Sequence, residues 1–397
     1  MQMSDRAPGV YLEQQLPIQA PEFLTGVPAF LGFVKKVYRD ENHPDKNENN
    51  PEPITLWTQF VDRFGFRSDS SANYLAYAVR GFFENGGRLC YVVPLTHPDP
   101  NSFDEVFSKG LEKGLEAIES LNTIDLVCVP DLGDLRLSSS ARITAIRKVL
   151  QHCSTMGDRF AILDAIGGLN REKMELSDVE LRNAAAYTPW LRVEPLSGGQ
   201  QSGASTEIIV PPCGHVAGIY AKSDRAGGVR RSPANYPLEG ILDLKPSPIE
   251  VASPTPLPDT NHLQAFRGRG IRIWGASTLS QHPDWQYISV RRLFLTVHRW
   301  VQFYLTDVAF EPNDFRLWIR IGRELNAYFE SLFQQGALKG RTLQEAFYVK
   351  CDAQTNPPEV RDSGKVVTEI GLAPTVPSEF IIIRLVHGSS GLTLNSE

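Results

Sequence analysis

Between residues 68 and 210, segments of strand character alternate with segments of helical character, and nothing else in the chain limits the fold as much. This alternation is the pattern of an α/β layer. Ser71 is placed to cap a helix running to Asn85, and Gly86-Gly87 would end it by supplying left-handed backbone. A strand at 88–93 follows, then a helix over 103–120 that leads to a strand at 124–129. A helix over 139–152 leads in the same way to a strand at 160–164. Ser177-Asp-Val-Glu180 has the spacing of a capping box and opens a further short helix.

The flanks read differently. Residues 1–17 contain two prolines and little periodicity, so they form an extended arm. A first strand falls within 25–37. The stretch 41–53 is polar and rich in Pro and Asn, with nothing to bury, and is a surface loop. Stretches 197–205 and 246–258 are also loops, because proline removes donors and fixes the backbone there. Beyond them lie a strand at 270–275, helices over 289–306 and 313–335, and strands near Phe347, Val366 and Phe380. No internal repeat is apparent.

At 397 residues the chain exceeds what one simple core holds, so two lobes or a core with an insertion are expected. Its formal charge of −6 and pI near 5.8 argue against nucleic acid as a partner, since neutralising phosphates takes a surplus of clustered Lys and Arg. The five cysteines, Cys90, Cys128, Cys153, Cys213 and Cys351, are widely spaced and set mostly among apolar neighbours. They read as small buried hydrophobes of a reduced compartment. The first residues lack a basic segment followed by an apolar core, and no apolar run has the length of a membrane span. Synthesis and folding in the cytoplasm, without a signal peptide or direct membrane insertion, is the expectation.

The familiar catalytic motifs are missing. The Gly364-Lys365 pair is followed by Val366, not by the Ser or Thr of a phosphate-binding loop. Gly268-Arg-Gly270 lacks the third glycine and the following helix of a dinucleotide fingerprint, and reads as a tight hairpin with solvated arginines. Cys213-Gly-His215 offers two metal ligands where a structural zinc site needs about four, so it reads as a buried cysteine at a helix start. Asp131 and Asp134, flanking Gly133 after a strand, sit where α/β enzymes place carboxylates. With no nucleophile or general base beside them in a motif, they read as turn formers. No cofactor or metal is implied.

Other segments read as surfaces for assembly. Glu379, Phe380, Ile381, Ile382, Ile383, Arg384 and Leu385 begin a nearly continuous apolar run of strong β preference. Such a strand must be covered on both faces: it is a central strand of its own sheet, a strand donated to a neighbour's sheet, or each in part. In the helix over 313–335, Phe315, Trp318, Ile319, Gly322, Leu325, Phe329, Leu332 and Phe333 fall at helical spacing and suggest a core-facing stripe. Arg316, Arg320 and Arg323 line up on another face, which is either a solvated face or a contact. Trp274, Trp285, Trp300 and Trp318 read as core aromatics of the C-terminal lobe.

A series of motifs runs from Phe266-Arg-Gly-Arg-Gly270 through Trp285-Gln-Tyr-Ile-Ser-Val-Arg-Arg-Leu293, Phe310-Glu-Pro-Asn-Asp314, Gln335-Gly-Ala-Leu-Lys-Gly340 and Glu345-Ala-Phe-Tyr-Val-Lys350 to Ala373-Pro-Thr-Val-Pro-Ser-Glu-Phe380. With Pro8-Gly-Val-Tyr-Leu-Glu13, Gly26-Val-Pro-Ala-Phe-Leu-Gly-Phe33 and the loop from Gly228 to Gly240, the series resembles the tail sheath proteins of contractile phages and related injection systems. Thr260-Asn-His-Leu-Gln264, Ser277 and Arg230 depart from that family's pattern.

The resemblance implies an α/β, overall α+β, fold: a sheath core domain formed by both chain ends, with an inserted α/β lobe and extended arms. The expected boundaries are an N-terminal arm at 1–17, the first part of the core at 18–65, the inserted lobe at 66–210, the C-terminal core domain at 211–378 and a C-terminal strand and tail at 379–397. It implies a non-enzymatic subunit that polymerises helically around an inner tube and contracts to drive that tube through a membrane. Partners would be further copies of the chain, the inner tube protein, baseplate and tail terminator proteins, and in some systems a second sheath paralogue. Pro8, Gly9, Val10, Tyr11, Leu12 and Glu13 would join Glu379–Leu385 in strand exchange between subunits, and Arg316, Arg320 and Arg323 would meet the inner tube. The alternatives are a baseplate or terminator protein with sheath-type domains, and an α/β enzyme centred on Asp131 and Asp134.

Overall fold

A computed structural model describes residues 24–35, 49–66, 74–95, 102–165, 175–196, 208–249, 260–375, 381–388 and 391–396. In chain order the first half contains β1 (Pro28–Phe33), β2 (Glu52–Ile54), α1 (Trp57–Phe64), α2 (Tyr74–Glu84), β3 (Cys90–Leu95), α3 (Phe103–Ile118), β4 (Leu126–Cys128), α4 (Ser139–Met156), β5 (Phe160–Asp164), α5 (Asp178–Leu181), β6 (Ala184–Thr188) and β7 (Trp190–Val193). The second half contains β8 (Ile208–Val210), α6 (Cys213–Gly227), β9 (Ile241–Lys245), β10 (Asn261–Phe266), β11 (Gly270–Trp274), α7 (Ile288–Asp307), α8 (Phe315–Gln334), α9 (Leu343–Ala346), β12 (Phe347–Lys350), α10 (Pro358–Asp362), β13 (Val366–Leu372), β14 (Ile381–Gly388) and β15 (Gly391–Ser396).

Eight strands form the main sheet in the order β11-β10-β6-β5-β4-β1-β3-β2. Its interior pairs are parallel, and only β2 and β11 at the edges run antiparallel to their neighbours. Parallel strands are covered on both faces and so read as apolar runs, each alternate residue serving a different layer. In β1, Phe30 packs with α1, α2 and α6, whereas Ala29 and Leu31 pack with α3 and α4. In β5, Phe160 and Ile162 face the first layer, and Ala161 and Leu163 the second.

The sheet also crosses the boundaries expected at 65/66 and 210/211. β1 is an interior strand of it, between β4 and β3, and the β10–β11 hairpin extends it at one end. A three-stranded sheet, β8-β7-β9, leans on the same side as α2.

The C-terminal lobe has its own core, in which α7 and α8 pack with β12 and β13 of the antiparallel sheet β12-β13-β14-β15. Helix α7 belongs to both cores: Ile288 and Leu295 join the core of the main sheet, while Leu293, Phe294, Val297 and Val301 join the C-terminal one. Of the four expected core tryptophans, Trp285, Trp300 and Trp318 are buried. Trp274 is not. It lies on the edge strand β11, 49% exposed and packed on Phe266, because an edge hairpin has only one covered face.

Candidate assembly surfaces

The position of every C-terminal surface depends on how α7 is anchored. Two basic pairs on α7, Arg291-Arg292 and His298-Arg299, are seven residues apart and so share one face. Arg292 Nη1 and Nη2 donate to the Asp224 carboxylate at 2.8 and 2.6 Å, and Nη2 also donates to Asp125 Oδ2 at 2.9 Å. Burial opposes the guanidinium's charge, but the two carboxylates outweigh it and hold Arg292 protonated more firmly than usual. Asp125 in turn accepts from the Gly26 and Val27 N–H groups at 2.9 and 2.6 Å. Arg299 donates to the Leu24 and Asn122 carbonyls, and His298 Nδ1 bonds the Gly157 carbonyl at 2.7 Å. Thus the approach to β1, the approach to β4, the end of α6 and the second turn of α7 meet at one buried ionic cluster. The sequence reading assigned these residues no role. Their signal was charge at seven-residue spacing inside an otherwise apolar helix.

Helix α8 begins at Asp314, whose carboxylate accepts from the Arg316 and Leu317 N–H groups at 2.8 and 3.3 Å. Its buried stripe is Leu317, Trp318, Ile321, Leu325 and Phe329, and Trp318 Nε1 donates to Asn313 Oδ1 at 2.9 Å. Two residues expected in that stripe face out instead. Phe315 is 59% exposed and Ile319 65% exposed, since the buried arc is narrower than the full set of apolar positions.

Arg316, Arg320 and Arg323 are brought together on the exposed face, as their spacing requires. They are not bare charges. Arg320 pairs with Glu311, Arg323 pairs with Glu324 at 3.0 Å, and Arg316 lies 5.7 Å over the Phe315 ring. Exposed pairs of this kind contribute about 0–1 kcal/mol and exchange partners readily.

Of the C-terminal strand, Glu379 and Phe380 lie outside the described residues, as do Pro8, Gly9, Val10, Tyr11, Leu12 and Glu13 of the arm. Ile381, Ile382, Ile383, Arg384 and Leu385 lie in β14, opposite Leu372, Gly371, Ile370, Glu369 and Thr368 of β13. The other edge of β14 is taken by β15, from Ile383 opposite Ser396 to Gly388 opposite Gly391. In the single chain β14 is therefore an interior strand. The outer edges of β12 and β15 are the ones that no described strand covers.

The chemically suggestive residues have structural surroundings. Asp131 is 1% exposed and accepts from the Phe33 N–H at 2.6 Å, tying the ends of β4 and β1 together. Burial pushes its carboxyl up to about 8, the Phe33 hydrogen bond opposing and Asp134 adding to the rise. Asp134 accepts from the Arg136 N–H at 2.9 Å and pairs with its guanidinium at 2.6 Å, as a turn aspartate does. The turn reading therefore describes Asp134, whereas Asp131 is a buried tie.

Cys213 and His215 are both buried at the start of α6, where burial lowers the imidazole to about 3. Among the described residues no group of three or more His, Cys, Asp or Glu side chains is placed to hold a metal ion. No described helix is long and apolar enough to cross a membrane.

Residues 280–387 match the model of the phage tail sheath C-terminal domain. Over 188 residues the chain is 26% identical to a protein of Pseudomonas aeruginosa (strain UCBPP-PA14) named as a prophage major tail sheath protein. That match covers 43% of this chain and 44% of the other, so it spans less than half the length of the curated relative. Likeness to solved structures extends further. The helical sheath of the anti-feeding prophage in its contracted state is 27% identical, with a TM-score of 0.71 over 95% of this chain and 98% of that one. The contracted sheath complex of PVC, an extracellular contractile injection system, is 25% identical, with a TM-score of 0.63 over 95% and 96%. The chain is accordingly a homologue of the tail sheath proteins of contractile systems, its last third matching the phage tail sheath C-terminal domain.

Proposed function

We propose that this chain is the structural subunit of a contractile sheath, part of a phage tail-like particle, which polymerises helically around an inner tube and shortens to drive it through a target membrane. The observation that carries this reading is the likeness over nearly the full length of both chains to a sheath solved in its contracted, helical form. Copies joined by contacts that do not close on themselves build a helix. Contraction is then a rigid-body change between two packings of one folded subunit. A few kcal/mol gained per subunit, summed over a long polymer, supplies the work without nucleotide hydrolysis by the sheath.

In this reading the subunit is not an enzyme, and its partners are further copies, the inner tube, and the baseplate and terminator at the two ends. The open edge of β15 is where a strand of a neighbour adds, and the N-terminal arm around Pro8–Glu13 is the natural donor. The α8 face with Arg316, Arg320 and Arg323 is the surface turned to the tube. Electron microscopy of the purified chain, alone and with its tube protein, tests the proposal. Ribbed cylinders of two lengths support it. Monomers under every condition refute it, and closed rings that never stack assign the chain to a terminator.

A further inference from the structure

Arg291 and Arg292 are neighbours on α7, yet among the described residues only Arg292 has its charge answered. Arg292 meets two carboxylates. Arg291 is 8% exposed, and its one side-chain hydrogen bond among the described residues runs from Nε to the neutral Asn183 Oδ1 at 2.8 Å. Its guanidinium lies 5.1 Å from the Trp285 ring, and the same ring has the Arg182 guanidinium at 5.0 Å.

Burial pushes the Arg291 guanidinium well below its ordinary range, and the other charge acting on it is that of Arg182, also positive. Asp178, the acid whose charge acts on Arg182, accepts from Ser280 Oγ at 2.7 Å and from the Gln281 N–H at 3.1 Å. An arginine does not shed its proton to escape such a place, so a buried guanidinium without an anion is costly unless an anion arrives. Neither terminal nitrogen of Arg291 is both sealed from solvent and unbonded, so the guanidinium edge faces the small opening that its remaining exposure reflects.

We propose that Arg291, held edge-on by Asn183 and stacked on Trp285, is an oxyanion site that receives an acidic side chain from a second copy of this chain when subunits pack together. Planar guanidinium recognises a carboxylate through two parallel hydrogen bonds. The chain has 46 acidic residues against 40 Lys and Arg, so its own surface is a source of carboxylates wherever copies meet. The identity of the donor as a second copy rests on the sheath reading; the oxyanion site itself does not.

Two measurements on the full chain keep the two claims apart. First, the melting temperature of the soluble subunit is compared in sodium sulfate and in sodium chloride of equal ionic strength, for wild type, Arg291→Met and Arg291→Lys. The site requires a sulfate-specific rise in wild type that is lost in Arg291→Met and reduced in Arg291→Lys; equal rises in wild type and both variants overturn it, an adventitious ion only being the conclusion. Second, polymer yield is measured by sedimentation. A folded Arg291→Met subunit that forms at least tenfold fewer cylinders than wild type supports the second copy as donor. A variant that loses the sulfate response but polymerises like wild type overturns that part of the proposal and leaves a free anion as the ligand. If wild type itself never polymerises, the sheath reading has failed, and the sulfate comparison alone decides the site. Should Arg291→Met not fold, Arg291→Lys provides both readouts.

Discussion

Arg292 donates two parallel hydrogen bonds to Asp224, at 2.8 and 2.6 Å, across 68 residues of sequence, and both side chains are sealed from water. A second carboxylate, Asp125, completes the cluster from a position 167 residues away. Replacing a whole buried ion cluster by apolar groups is often neutral, but removing one member strands the others. Arg292→Met leaves two buried carboxylates without a cation and is expected to destabilise the fold by about 3–5 kcal/mol. Thermal unfolding checks this, and a loss under 1 kcal/mol would mean that the cluster does not bind α7 to the main sheet.

The Asp131 carboxyl predicts a pH dependence of definite sign. In the folded chain it keeps its proton to about pH 8, whereas in the unfolded chain it releases it near pH 4. The folded state therefore binds more protons in that window. Its contribution is fully present below about pH 4 and is lost as pH rises through about 8, with a slope of up to about 1.4 kcal/mol per pH unit. Asp131→Asn keeps an oxygen to accept the Phe33 N–H and removes the titration. Denaturation at pH 5 and pH 8 is expected to show a smaller loss of stability for the variant than for wild type. Identical losses would place the responsible group elsewhere. The same variant addresses the enzyme alternative, since an unchanged ability to assemble leaves Asp131 with a structural task alone.

Two glycines in helices have opposite expectations. A Cβ on Gly214 of α6 would run into the Ala78 backbone of α2, and one on Gly218, four residues on, would lie 2.6 Å from the Phe82 carbonyl oxygen. The two helices touch backbone to backbone along that seam, so Gly214→Ala is expected to cost about 1–3 kcal/mol through forced separation. Gly322 of α8 has nothing within 4 Å of its would-be Cβ. Gly322→Ala is expected to stabilise by about 0.5–1 kcal/mol, through helix propensity alone. Measuring both midpoints decides it: two changes of the same sign contradict the packing described here.

The sequence made some of this legible and hid the rest for physical reasons. Local rules located β5 at its observed bounds, placed the starts of α3 and α4 correctly, and found the box in which Glu180 accepts from the Ser177 N–H at 2.8 Å. These features depend on neighbours in the chain. Strand order does not, which is why the place of β1 between β4 and β3 and the β10–β11 extension were outside the reach of periodicity. Apolar spacing also overstated the buried face of α8, because Phe315 and Ile319 fit the helical pattern while no described element covers them. The Arg292 cluster joins parts of the chain too distant for any spacing rule. Arg316, Arg320 and Arg323 were correctly placed on one face, but their partners Glu311 and Glu324 were not foreseen.

Those partners shape the test of the surface proposed to face the tube. Arg320→Glu with Arg323→Glu reverses two charges of the row and sets like charges beside Glu311 and Glu324. If α8 meets acidic groups of the tube, the double variant is expected to form sheath on its own while losing co-assembly with the tube, and the loss should deepen at low salt. Glu311→Gln is the matched control, since it frees Arg320 without reversing anything and is expected to preserve or strengthen co-assembly. Normal co-assembly of the double variant, scored by sedimentation with tube protein, removes this face from the contact.

Strand exchange gives the last expectation. The sheet β12-β13-β14-β15 has β14 satisfied on both sides, so a neighbour's strand can add only at the outer edge of β15 or of β12 unless a strand leaves. Deleting residues 1–17 removes the proposed donor and touches no strand of the described fold. The shortened chain is therefore expected to keep its melting temperature and to fail to form cylinders. Adding a peptide of residues 1–17 in excess should bind the truncated subunit without restoring the polymer, because the strand is then no longer tethered to the next copy. Electron microscopy and calorimetry of the truncated chain are the two measurements. Ordered cylinders that grow and shorten without residues 1–17 would show that the arm does not join the subunits.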